Sequence, residues 1–121
     1  MLYRHDTITL LPGVKEADFE QFMTEDLLPY FSEKYRGPTR SSRADIKSQS
    51  LLKTADRDRQ YLWVTGWDGS AGDVGDPEFE RVRMTPVAAT AEMLRKLDAF
   101  GKRSSLHVLA ERASVAVATN V

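Results

Sequence analysis

The segment Ser50-Leu51-Leu52-Lys53-Thr54-Ala55-Asp56-Arg57-Asp58-Arg59-Gln60-Tyr61-Leu62-Trp63-Val64-Thr65-Gly66-Trp67-Asp68 reads as two strands joined by a charged turn. Its second strand alternates Tyr61, Trp63, Thr65 and Trp67 with Leu62, Val64 and Gly66, so both faces carry large or apolar groups and both need covering. The helices of one subunit cover only one of them.

Upstream, Leu2 to Leu11 is a threonine-rich, β-branched run that Pro12-Gly13 stops, which predicts strand one. From Lys15 to Tyr35, Phe19, Phe22, Met23, Leu27, Tyr30 and Phe31 recur at intervals of three and four, as one buried helix face requires. Pro29 lacks an N–H, so this helix should kink or restart there before Gly37-Pro38 ends it. Strand two is expected from near Ala44 to Thr54.

Downstream, Gly66, Gly69, Gly72 and Gly75 fall in an aspartate-rich loop. It lacks the glycine and glutamate positions of a calcium loop and the Gly-Lys-Ser/Thr of a phosphate loop, so it reads as a connection or lid. Asp76-Pro77 and Thr85-Pro86 are helix starts, and the second helix carries Val87, Ala91, Leu94, Leu97 and Phe100 up to a stop at Gly101. Ser105 to Ala113 reads as strand four, and Val115 to Val121 either adds an edge strand or swaps onto a partner.

The order strand, helix, strand, strand, helix, strand is the ferredoxin-like βαββαβ pattern: an α+β fold with a four-stranded antiparallel sheet and two main helices on one face, in a single domain over 1–121. Matching parity predicts a helix-facing set of Ile8, Leu10, Leu62, Val64, Leu106 and Val108. The helix-free face then holds Tyr3, His5, Thr7, Thr9, Tyr61, Trp63, Thr65, Trp67, His107, Leu109 and Glu111. Aromatic groups of that size need a second sheet over them, which predicts a homodimer through the helix-free face.

Composition narrows the chemistry. With 121 residues, 41% of them hydrophobic, there is material for one core. The 17 basic and 18 acidic groups nearly cancel, which disfavours nucleic acid as a partner. Cysteine is absent, so disulfides, thiolate catalysis and cysteine-held metals are excluded. No apolar run approaches the roughly 20 residues of a membrane span, so the expectation is a cytoplasmic protein without a membrane partner.

The span from Leu2 to Arg112 resembles a subunit of the dimeric α+β barrel superfamily, nearest its antibiotic biosynthesis monooxygenase-like group. The matching pieces are the Leu11-Pro12-Gly13 exit from strand one, the Phe19/Phe22 spacing, and the hairpin from Leu52-Lys53-Thr54-Ala55-Asp56 to Trp67-Asp68. The resemblance implies dimerisation and, by analogy with quinone-forming members, oxygenation without a cofactor. Haem-degrading members carry an asparagine on strand one and a histidine near the second helix. Here Asp6 takes the asparagine position and no histidine lies between residues 6 and 106, which argues against haem degradation by that route.

Asp6 interrupts an otherwise apolar side of strand one. A carboxylate there is a general base for an enolic or phenolic proton, or an arginine's salt-bridge partner, or a solvated group at a frayed strand end. His5 and His107, the only histidines, fall on adjacent strands and one face; they shuttle protons or fill an interface, and no ligand spacing supports a metal. Tyr3, Tyr61, Trp63, Trp67 and Arg83 are the candidate substrate-binding residues, with packing as the alternative for the aromatics. The leading expectation is a cofactor-independent monooxygenase or isomerase acting on a hydrophobic, enolisable small molecule. The alternatives are a non-catalytic dimer that binds a small molecule or serves structure alone, and haem binding.

Overall fold

The computed structural model describes residues 2–34, 46–67 and 88–117, apart from the side chains of 34, 105–108 and 110. Its elements are β1 (Leu2–Leu10), α1 (Glu16–Phe22), a π-helical segment (Met23–Leu27), α2 (Leu28–Lys34), β2 (Ile46–Lys53), β3 (Gln60–Trp67), α3 (Ala88–Asp98) and β4 (Gly101–Ala110). The strands form one antiparallel sheet in the order β2-β3-β1-β4, the ferredoxin-like arrangement. The expected loop over 68–76, both proline helix starts and the Gly37-Pro38 stop lie outside the described residues.

The break expected at Pro29 takes the form of the π segment just before it. The Leu28 N–H bonds the Met23 carbonyl, one residue further back than in an α-helix. Pro29 has no N–H for the carbonyl four residues earlier and its ring crowds that carbonyl, so a wider turn relieves both. Thr24 adds to the disruption by turning its hydroxyl onto the Glu20 carbonyl at 2.8 Å.

Across the helix–sheet interface the core is aromatic. Phe19 packs on Tyr61 with ring centroids 4.8 Å apart, Phe22 stacks on Phe100 at 4.8 Å, and Phe31 meets Trp63 edge-on at 5.1 Å. Ile8, Leu10, Met23, Leu27 and Leu97 fill the space between, and Leu2 and Trp67 make a smaller cluster with Ile46.

This placement overturns the predicted face of β3. Tyr61, Trp63, Thr65 and Trp67 lie under the helices, and Leu62 and Val64 lie on the other side. The cause is the register. Ile8 pairs with Tyr61, Asp6 with Trp63 and Leu2 with Trp67, so even positions of β1 share a face with odd positions of β3. A one-residue change in pairing moves every side chain to the opposite face, and a strand apolar on both faces does not specify which.

Gly101 is the first residue of β4, four residues before the expected start, and not only a helix stop. A Cβ there would sit 2.7 Å from Ile8 Cγ2 and 2.9 Å from the Thr9 carbonyl oxygen, so only glycine lets the strand close on β1. A bulge follows. His5 pairs with His107 but Thr7 pairs with Ser104, which inserts one extra residue in β4 opposite Asp6. The alternation in β4 therefore reverses: Arg103, across from Ile8, and Val108, across from Arg4, take helix-side positions despite opposite parity. Of the residues expected in an edge strand at the C-terminus, Val115 and Val117 are exposed and in no strand, and 118–121 lie outside the described residues.

Arg59 closes the charged turn with φ 59°. Its Nη2 donates to the Leu11 and Val14 carbonyls at 2.6 and 2.8 Å, tying the β2–β3 hairpin to the connection between β1 and α1. Among the described residues no helix is long and apolar enough to cross a membrane.

Candidate functional site

Asp6 is 3% exposed and lies on the helix side of β1, where alternation also places Arg4. Two residues apart on one strand face, they meet: Arg4 Nε donates to Asp6 Oδ2 at 3.0 Å. Of the roles open to Asp6, salt-bridge partner is therefore the one its geometry displays. Asp6 Oδ1 accepts no bond from the described residues. The guanidinium of Arg4 also lies over the Trp63 ring, 5.7 Å from its centroid, where the ring's negative face attracts the cation.

These groups open onto a cleft of about 580 Å³ between the β1–β4 half of the sheet and the end of α3. Arg4 and Asp6 form one wall; Leu11, Asp98 and residues Gly101 to Ser104 form the other. Arg103 Nε donates to Asp98 Oδ1 at 3.1 Å, which draws the start of β4 to the end of α3. The bulge opposite Asp6 bends β4 beside this cleft, a common position for such irregularities next to binding sites.

Trp63 is held from below. Its indole N–H donates to Gln49 Oε1 at 3.2 Å, and Gln49 Nε2 donates to the Leu28 carbonyl at 2.8 Å and to Ser32 Oγ at 2.7 Å. Indole only donates and a carbonyl only accepts, so this network admits one orientation of the amide. It locks β2, β3 and α2 beneath the ring that carries Arg4.

The remaining candidates separate. His5 is half-buried on the helix-free face, and the register sets it opposite His107, so both histidine positions are across the sheet from Asp6. The described structure of His107 is its backbone. Tyr3 pairs with Gly66 and Leu109 on the same helix-free side. Tyr61 and Trp67 are buried in packing and do not line the cleft. The Tyr61 hydroxyl has no partner among the described residues, and burial, reinforced by the Glu20 and Glu16 carboxylates, pushes it up to about 12. Arg83 lies outside the described residues. Asp6 and the two histidine positions therefore lie on opposite faces of the sheet. Among the described residues, no three His, Asp or Glu side chains gather as a metal cluster.

Sequence reasoning missed Gln49, Lys102 and the Asp98–Arg103 pair. Arg4 was within reach, because a cation two residues from a buried carboxylate on one strand shares its face. Gln49 makes its contacts 14 to 21 residues away along the chain, which no local spacing encodes, whereas Asp98 and Arg103 stand only five residues apart and meet because α3 turns directly into β4.

No family model matches the chain, and no curated protein does. Solved structures do. SnoaB, a cofactor-independent oxygenase from Streptomyces nogalater, matches with TM-score 0.62 at 16% identity over 94% of this chain and 95% of its own. A candidate antibiotic biosynthesis monooxygenase from Bordetella bronchiseptica matches with TM-score 0.60 at 21% identity over 93% and 97%. An uncharacterised NIPSNAP-domain protein from Burkholderia xenovorans matches with TM-score 0.58 at 12% identity over 97% and 100%. What these proteins share with the chain is its fold, the ferredoxin-like α+β architecture of the antibiotic biosynthesis monooxygenase-like proteins.

Proposed function

We propose that the chain is a cytoplasmic homodimer whose helix-side cleft deprotonates a flat, hydrophobic, enolisable small molecule and oxygenates or isomerises it without a cofactor. The observation that carries this reading is Asp6: a carboxylate 3% exposed, on the wall of a cleft, with one oxygen engaged by Arg4 and the other free of described partners. A carboxylate so placed is a general base of limited mobility. The likeness in fold to SnoaB supports the oxygenase variant.

In that variant Asp6 takes a proton from the substrate's activated CH₂, and the resulting carbanion reduces O₂. The radical pair combines to a hydroperoxide, which loses water to leave a carbonyl. One oxygen atom enters the product and the other leaves as water, so the substrate supplies all the electrons. Isomerisation needs only the first step and return of the proton elsewhere.

The dimer rests on the helix-free face, where Leu62, Val64, Leu52 and Leu109 have no described helix above them and the last two are 52% and 46% exposed. In a dimer the histidine positions serve the interface, across the sheet from the cleft.

The test uses an anthrone as probe. Oxygen uptake in air and anaerobic deuterium exchange at its CH₂ are followed with wild-type protein and with Asp6→Asn, which keeps an acceptor for Arg4. Both rates should exceed those in buffer and fall by at least about 100-fold in the variant, the usual contribution of a positioned base. Wild-type rates equal to those in buffer would leave a non-catalytic dimer as the better account.

A further inference from the structure

We infer that the cleft recognises an ionised oxygen on its ligand, a phenolate or enolate, and that Arg4 is the residue that binds it. This rests on the proposed function and names the substrate class for the same cleft. Among the described residues, the charged ones that line it are Arg4, Lys102 and Arg103 with Asp6 and Asp98, and of the three cations Arg4 and Arg103 stand at helix-side positions whereas Lys102 pairs with Thr9 on the other face. Each carboxylate is engaged by one arginine through Nε, at 3.0 and 3.1 Å.

The unused donors point to the ligand. Asp6 occupies only the Nε edge of Arg4, and Trp63 covers a face of the guanidinium. The two terminal nitrogens, whose paired N–H groups fit oxygen anions, bond no described residue. The Arg4 side chain is 15% exposed, so its charge acts where water screens little, whereas Lys102 is exposed at a position on the other face of the sheet. Asp6 fixes the fork by its other edge. A ligand oxygen on Arg4 is thereby brought beside the carboxylate proposed as base, so the developing enolate charge is stabilised as the proton leaves.

The experiment compares 2-hydroxy-1,4-naphthoquinone, ionised at neutral pH, with its neutral 2-methoxy analogue by calorimetric titration into the full-length protein. Wild type should bind the anion about 10- to 100-fold more tightly, as a charge-assisted bond in a partly dry site gives. Arg4→Gln should abolish that preference while leaving the methoxy affinity in place, and Lys102→Gln should reduce it less. If Arg4→Gln fails to fold by circular dichroism, Arg4→Lys replaces it; one ammonium lacks the second edge, and the preference should again fall. Equal affinities in wild type, or a preference that survives at position 4, overturn the inference and leave the proposed function standing. Binding of neither compound overturns both.

Discussion

Replacing Gln49 with leucine removes the bridge between β2 and the helix layer at nearly constant side-chain volume. Three groups lose a partner: the Leu28 carbonyl, Ser32 Oγ and the Trp63 indole N–H. They are not equivalent. Ser32 is half-buried and can turn to water, and a carbonyl oxygen has a second lone pair. Trp63 is 1% exposed and can only donate, so its N–H is stranded at a cost of about 1–3 kcal/mol. With about 1 kcal/mol for the other two bonds together, Gln49→Leu should destabilise by about 2–4 kcal/mol. In a Trp63→Phe background there is no indole N–H to strand, and the same substitution should cost only about 1 kcal/mol. Urea unfolding followed by circular dichroism, at one protein concentration because association would shift the midpoint, gives all four corners of the cycle. The expected coupling is about 1–3 kcal/mol. A coupling below about 0.5 kcal/mol, the scatter of independent sites, would refute the claim that Gln49 holds Trp63 in place.

Two further outcomes are expected. Tyr61→Phe should raise stability at neutral pH by about 1 kcal/mol, because it deletes a buried hydroxyl without a described partner. Burial pushes the native hydroxyl up to about 12, above its unfolded value of 10.0, so the unfolded chain releases this proton first and stability falls as pH rises through that window. The wild-type curve should therefore fall more steeply than that of Tyr61→Phe between those pH values, and parallel curves would contradict the burial argument. Leu62→Glu, on the helix-free face opposite Thr7, should convert a dimer to monomer in sedimentation at fixed concentration while the cleft still binds its ligand; a wild-type monomer would dismiss the dimer.

Local chemistry made the elements legible. Pro12-Gly13 ends β1, the three-and-four spacing from Phe19 to Phe31 marks the helix face, and Pro29 announces the distortion that becomes the π segment. The order of elements carried the topology, since two helices and four strands in that sequence have one common antiparallel solution. At the site, Asp6 was visible as the one carboxylate on an apolar strand face, and Arg4 lies within the same short-range pattern.

What sequence alone determined, then, is what neighbours along the chain decide: where elements start and stop, which helix face is apolar, and which strand positions alternate. Tertiary structure decided how strands align. The pairing of Ile8 with Tyr61 put the aromatic stripe of β3 under the helices, because Phe19 and Phe31 pack against it there, and left Leu62 and Val64 outside. The bulge in β4 reversed its alternation beside Asp6, and the gap that only Gly101 can fill set where that strand begins. Register and bulge depend on contacts between residues distant in sequence, so no window of local sequence contains them, and they determine that Asp6 and the two histidine positions fall on opposite faces of the sheet.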